Sequence, residues 1–208
     1  MDTKKAYNIW SEQYDTNTNK TRDLEAAALR EVLENRYFDN CLEIGCGTGK
    51  NTRLLLTKAK QITAVDLSEE MLERAKEKLL SDKVQFIVAD INKEWTFTNE
   101  KFDLVTFSLV LEHIENLENI FEKVAEVIKP GGYVYVGELH PFKQYTGSKA
   151  RFETEEGIQV VKCYNHNISD FIIAAKKYGL HILDINEYFD DDDRTGIPRI
   201  LTILFHKP

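Results

Sequence analysis

Three glycines within five residues, Gly45, Gly47 and Gly49, follow the run Leu42-Glu43-Ile44 and precede a helical pattern that opens near Lys50 or Asn51. No other feature limits the possible folds as tightly. Without a Cβ these positions accept positive φ, and another molecule can approach the bare main chain. The spacing predicts a strand, a tight turn and a helix whose free N–H groups and positive dipole end face the same spot. Asp66 closes a second apolar run, Ile62 to Val65. In a parallel sheet the carboxyl ends of neighbouring strands lie side by side, which brings the Asp66 carboxylate within reach of the two hydroxyls of a ribose.

The plainest reading of such a turn is a strand-to-helix connection that holds nothing. A sharper rival is a nicotinamide dinucleotide site, which also combines a glycine turn with an acidic strand end. Two details oppose it. The third glycine follows one intervening residue rather than two. Glu43 sits just before the turn, where a carboxylate suits a cationic or hydroxylic ligand better than a pyrophosphate.

The rest of the chain supplies the frame. Leu24, Ala28, Leu29, Val32 and Leu33 make a helical stripe between Thr21 and about Asn35. Strands are expected at Cys41 to Ile44, Ile62 to Val65, Val84 to Val88, Phe102 to Leu109 and Tyr133 to Gly137, the fourth running on through Val110, Leu111, Glu112, His113 and Ile114. Helices separate them, one capped by Ser68 and one stopped by Pro130-Gly131-Gly132. The alternation implies an α/β fold with a doubly wound, parallel sheet. A last helix, Ile168 to Tyr178, leads to two strands, His181 to Tyr188 and Arg199 to Phe205, joined by a solvated acidic loop as an antiparallel hairpin. Tyr7, Trp10 and Tyr14 share one face of a short helix, either as core or as a cap over a ligand. Residues 139–166 form too long a polar stretch for a plain connection and are expected to be a lid or substrate-binding insertion.

Glu43 to Gly49, Val65-Asp66-Leu67-Ser68 with Met71, Ala89-Asp90, Phe102 to Ser108 and Lys129 to Gly132 together resemble the ordered motifs of the class I S-adenosylmethionine-dependent methyltransferases, in their small-molecule branch. The resemblance spans about residues 40 to 138. It implies a mainly parallel seven-stranded sheet with helices on both faces, in one methyltransferase domain over residues 1–208 with residues 1–20 as a cap. It also implies S-adenosyl-L-methionine as cofactor, S-adenosyl-L-homocysteine as product, and in-line transfer of a methyl group to a small-molecule acceptor. The cofactor residues it points to are Tyr14, Arg22, Glu43, Gly45, Cys46, Gly47, Asp66, Leu67, Met71, Asp90, Ile91 and Ser108. Met71 reads equally as core, Cys46 as a small filler, and Asp90 as an Asx turn. Should the acceptor lose a proton, the bases at the carboxyl edge of the sheet are His113, Glu138 and His140, with His140 first. A nicotinamide-dependent oxidoreductase and a non-catalytic S-adenosylmethionine-binding protein remain the alternatives.

Composition narrows the partners. The net charge of −8 argues against broad nucleic-acid binding. Three cysteines, Cys41, Cys46 and Cys163, lack metal-site spacing, so no metal is expected. The apolar runs are far shorter than a membrane span, and Met1 to Lys5 is no signal peptide. A cytoplasmic monomer or homodimer is expected.

Overall fold

Residues 1–155 and 157–208 are described in a computed structural model of the chain. Five strands, β1 (Phe38–Ile44), β2 (Ala59–Asp66), β3 (Val84–Val88), β4 (Phe102–Ser108) and β5 (Ile128–Leu139), run parallel to their neighbours. A short hairpin, β6 (Arg151–Thr154) and β7 (Gly157–Val160), stands apart from them. The final pair, β8 (His181–Tyr188) and β9 (Ile200–His206), returns antiparallel, with β9 against β5. The seven-stranded sheet has the order β3-β2-β1-β4-β5-β9-β8. Its reversal of direction on either side of β1 and β4 opens a crevice at their carboxyl ends, where open α/β sheets bind ligands.

The central strands are apolar on both faces because both are covered. Val105 and Phe107 of β4, Val134 and Val136 of β5, and Ile203 and Phe205 of β9 face the layer formed by α5 (Leu117–Val127) and α7 (Ile168–Lys177). Leu104, Tyr135 and Leu204, one residue out of step, face α2 (Lys20–Val32), α3 (Lys50–Leu55) and α4 (Glu69–Lys78). Burying one such side chain as fully as Phe121 contributes about 1.5–3 kcal/mol. A third, smaller cluster joins α1 (Thr3–Trp10) to α4 and the β6–β7 hairpin through Ala6, Trp10, Met71 and Phe152.

Three expectations need correction. β4 does not run on to Ile114: Leu109 takes φ +58°, and Leu111–His113 is a 3-10 turn whose amides are held by a buried carboxylate described below. β5 begins at Ile128, because Ile128 pairs with Phe102 before Lys129 to Gly132 bulge out and pairing resumes at Tyr133. Residues 139–166 hold α6 (Pro141–Tyr145) and the β6–β7 hairpin. The acidic loop is also less solvated than expected, since Asp190 pairs with Arg199.

Candidate active site

The glycine turn after β1 has the conformation its composition requires, with φ of +72° at Gly45, +52° at Gly47 and +83° at Gly49. A Cβ on Gly45 would lie 2.2 Å from Val110 Cγ2, whereas one on Gly47 would meet nothing within 4 Å. Gly45 thus lets two loops close on each other, and Gly47 leaves open floor. The Gly47 amide donates to Asp66 Oδ2 at 2.8 Å and the Ser68 amide donates to Oδ1 at 2.8 Å. Burial pushes the Asp66 carboxyl above its ordinary range, and the amides of Ser68, Gly47 and Leu67 pull the other way. The carboxylate is fixed at the end of β2 with lone pairs to spare.

A cleft partly open to solvent lies over this turn. Of the residues expected to hold a cofactor, it is lined by Tyr14, Gly45, Gly47, Asp66, Leu67, Asp90, Ile91 and Ser108, and His113 joins them. Asp90 Oδ1 accepts from the Asn92 amide at 3.0 Å, an Asx turn that aims the carboxylate after β3. Arg22 is next door: its guanidinium stacks over the Tyr14 ring at 4.1 Å and lines a second cleft.

The other expected residues stand outside both clefts. Glu43 is buried beneath the turn, where Oε2 accepts from the Thr52 hydroxyl at 2.6 Å. Burial, reinforced by Glu25 and Asp66, pushes its carboxyl up to about 8, so it braces the turn from below. Cys46 packs in the apolar layer with Leu55 and Leu72, and Met71 is fully buried against Ala6 and Trp10. Glu138 accepts from the amides of Val110 at 2.9 Å and Leu111 at 2.8 Å, and from Glu112 at 3.4 Å. Burial first, and then the charge of Glu112, pushes it to about 8. Its work is to hold the 3-10 turn. His140 is the clearest correction. Its side chain is fully buried, Nδ1 accepts from the Phe142 amide to cap α6, and Nε2 donates to Glu187 at 2.9 Å. With both nitrogens committed and burial holding its pKa down, it has no nitrogen left for an acceptor.

Leu109 and Glu112, which the sequence reading did not single out, join the expected Tyr7, Tyr14 and His113 around the site. Tyr7 and Tyr14 line both clefts, as does Leu109, whose left-handed backbone turns β4 away from the sheet. His113 Nδ1 lies 2.9 Å from the Lys162 carbonyl, which can only accept, so Nδ1 carries the hydrogen and Nε2 accepts from the Tyr7 hydroxyl at 2.8 Å. Glu112 lines the second cleft, and its buried Oε2 has no hydrogen-bond partner among the described residues. Burial raises its pKa. Extending the strand through Val110 to Ile114 hid this turn; the one signal in the sequence was the polar pair Glu112-His113 inside an apolar run. Glu112, His113 and Cys163 offer three donor atoms within 4.8 Å. Both nitrogens of His113 are already bonded within the protein, so these side chains form a hydrogen-bonded wall of the site.

Residues 42–136 match the methyltransferase domain family. That match covers a little under half of the chain, and it contains the glycine turn, Asp66 and Asp90. An uncharacterized methyltransferase of Emericella nidulans is 27% identical, the alignment covering 89% of this chain and 78% of the relative. A malonyl-[acyl-carrier protein] O-methyltransferase of Priestia megaterium is 34% identical over 62% of this chain and 48% of its own length, so the chain spans about half of that relative. Among solved structures, an S-adenosylmethionine-dependent methyltransferase from Clostridium acetobutylicum shares the fold, with a TM-score of 0.71, 22% identity and 96% of both chains covered. No helix among the described residues is long and apolar enough to cross a membrane.

Proposed function

We propose that the protein transfers the methyl group of S-adenosylmethionine to a small-molecule acceptor. The observation that carries this is that two adjacent clefts share Tyr7, Tyr14 and Leu109 as lining, one over the glycine turn and one beside Ser148 to Arg151. The first suits the donor. Gly47 leaves room against the main chain, the Asp66 carboxylate is aimed for ribose hydroxyls, and Asp90 is placed for an adenine amino group between apolar Leu67 and Ile91. Arg22, braced on Tyr14, is the cation for the donor's carboxylate.

Bound there, S-adenosylmethionine supplies a methyl group already activated by its sulfonium charge, so the protein needs no nucleophile of its own. The chain's task is alignment and exclusion of water, which together can contribute roughly 7–11 kcal/mol. Tyr7 and Tyr14 from the N-terminal segment and Leu109 from the turn wall off the seam between the clefts. Where the acceptor carries a proton, the His113–Tyr7 pair and Glu112, whose Oε2 has no hydrogen-bond partner among the described residues, stand beside that seam to receive it. Calorimetric titration tests the reading: S-adenosylhomocysteine should bind and NADH should not. Preference for NADH would select the oxidoreductase. Donor binding without product formation across a metabolite library would select a non-catalytic binding protein.

A further inference from the structure

The second cleft has a charge pattern opposite to that of the protein. The chain has 35 acidic against 27 basic residues, yet this cleft is lined by Arg22, Lys149, Arg151 and Arg199 and by one acid, Glu112. Cations gathered in one cleft repel one another, and a group of negative charge received there relieves that repulsion. The four are not equivalent. Arg199 is neutralised by its two contacts with Asp190 and also donates to the Thr21 hydroxyl. Arg22 stacks on Tyr14 and donates to the carbonyls of Tyr14 and Asn17, an arrangement given above to the donor's carboxylate. Lys149 and Arg151 are exposed and pair with no carboxylate among the described residues.

The wall between them is short of acceptors as well. Arg22 Nε and Trp10 Nε1 are both buried with no hydrogen-bond partner among the described residues. Buried donors in native proteins are normally satisfied, so two orphans in one cleft wall mark a place where an acceptor group belongs. The surrounding surface is aromatic. Trp10 stacks on Phe152 at 5.1 Å and on Tyr7 at 5.6 Å, which suits an organic body attached to the charge.

Building on the methyltransferase reading, we infer that the methyl acceptor is an acid: a small organic molecule whose carboxylate or phosphate is seated by Lys149 and Arg151 of the lid, with its methyl-accepting atom at the Tyr7–Leu109 seam. The lid residues select the charge, and the aromatic wall selects the body. A carboxylate and a phosphate share this recognition chemistry, since both offer several oxygens to cationic donors.

The experiment incubates the protein with labelled S-adenosylmethionine and a small-molecule extract separated on an anion exchanger at neutral pH. Label should enter the retained, anionic fraction. Prior phosphatase treatment should abolish the labelling if the group is a phosphate and leave it unchanged if it is a carboxylate. The double variant Lys149→Gln, Arg151→Gln should raise KM for that fraction roughly tenfold or more while leaving S-adenosylhomocysteine affinity and thermal stability unchanged. Label confined to the unretained, neutral or cationic fraction would overturn the inference while leaving the methyltransferase reading intact. An unchanged KM in the double variant would also overturn it. Failure of the wild-type protein to bind S-adenosylhomocysteine is a failure of the donor reading, and this inference falls with it.

Discussion

At the scale of single residues, the buried carboxylates divide into those that face the cleft and those that hold it up. Asp66 faces it, so Asp66→Ala should weaken S-adenosylhomocysteine binding roughly ten- to a hundredfold, as expected for loss of a charged hydrogen bond. Unchanged affinity in a folded variant, measured by calorimetry, would remove Asp66 from the donor site. Glu43 and Glu138 hold the cleft up, and burial lifts both from an ordinary value of 4.5 to about 8. The folded state therefore binds more protons than the unfolded state between those values. The stability the two groups contribute is fully present below about pH 4.5 and is lost as pH rises through about 8. Glu43→Gln should flatten this dependence, which a comparison of urea midpoints at pH 5 and pH 8 would show; a slope identical to that of the wild type would rule Glu43 out as its source. The sequence disclosed which residue types gather near the turn but not their division of labour. Glu43 and Asp66 both end strand-like runs, and only packing shows that one carboxylate meets Thr52 beneath the turn while the other, held by the Gly47 and Ser68 amides, lines the cleft.

At the scale of elements, the parallel strands were legible because covered strands read as apolar runs and the glycines punctuate them. The turn after β4 was not. Leu109 is leucine where a left-handed backbone would ordinarily announce itself by glycine or asparagine, and what holds the turn is a carboxylate from β5. His140 was misplaced for a related reason. Its position after β5 put it near the donor edge, but the partner that takes it away, Glu187, lies on β8. Contacts this distant in sequence leave no local periodicity. In the N-terminal segment Trp10 is core to the small cluster with Met71 and Phe152, while Tyr7 and Tyr14 line the clefts. Thr48 of the glycine turn donates to Asp15 at 2.7 Å, tying the N-terminal segment to that turn. Deleting residues 1–18 should leave the sheet folded, with native far-UV dichroism, but with donor affinity at least tenfold weaker, since the deletion removes both tyrosines and the Asp15 partner of Thr48. Affinity equal to that of the full chain would show that the segment is packing alone.

At the scale of the whole molecule, the donor cleft draws on the ends of four parallel strands and on the N-terminal helix, elements that belong to separate apolar clusters. A ligand seated there binds only when all of them are in place, so its binding energy adds to the stability of the assembled fold rather than to one loop. At a hundredfold excess over Kd this linkage is worth about 2.7 kcal/mol. For a chain of 208 residues that corresponds to a rise in melting temperature of roughly 5–10 °C. S-adenosylhomocysteine should produce this shift in one cooperative transition, with NADH at the same concentration producing none. Limited proteolysis should show the N-terminal segment protected over the same range of ligand concentration. A melting temperature that does not move with saturating S-adenosylhomocysteine would mean that the cleft over the glycine turn is not where the donor sits. Protection of the sheet without protection of residues 1–18 would mean that donor binding does not require the cap to be closed.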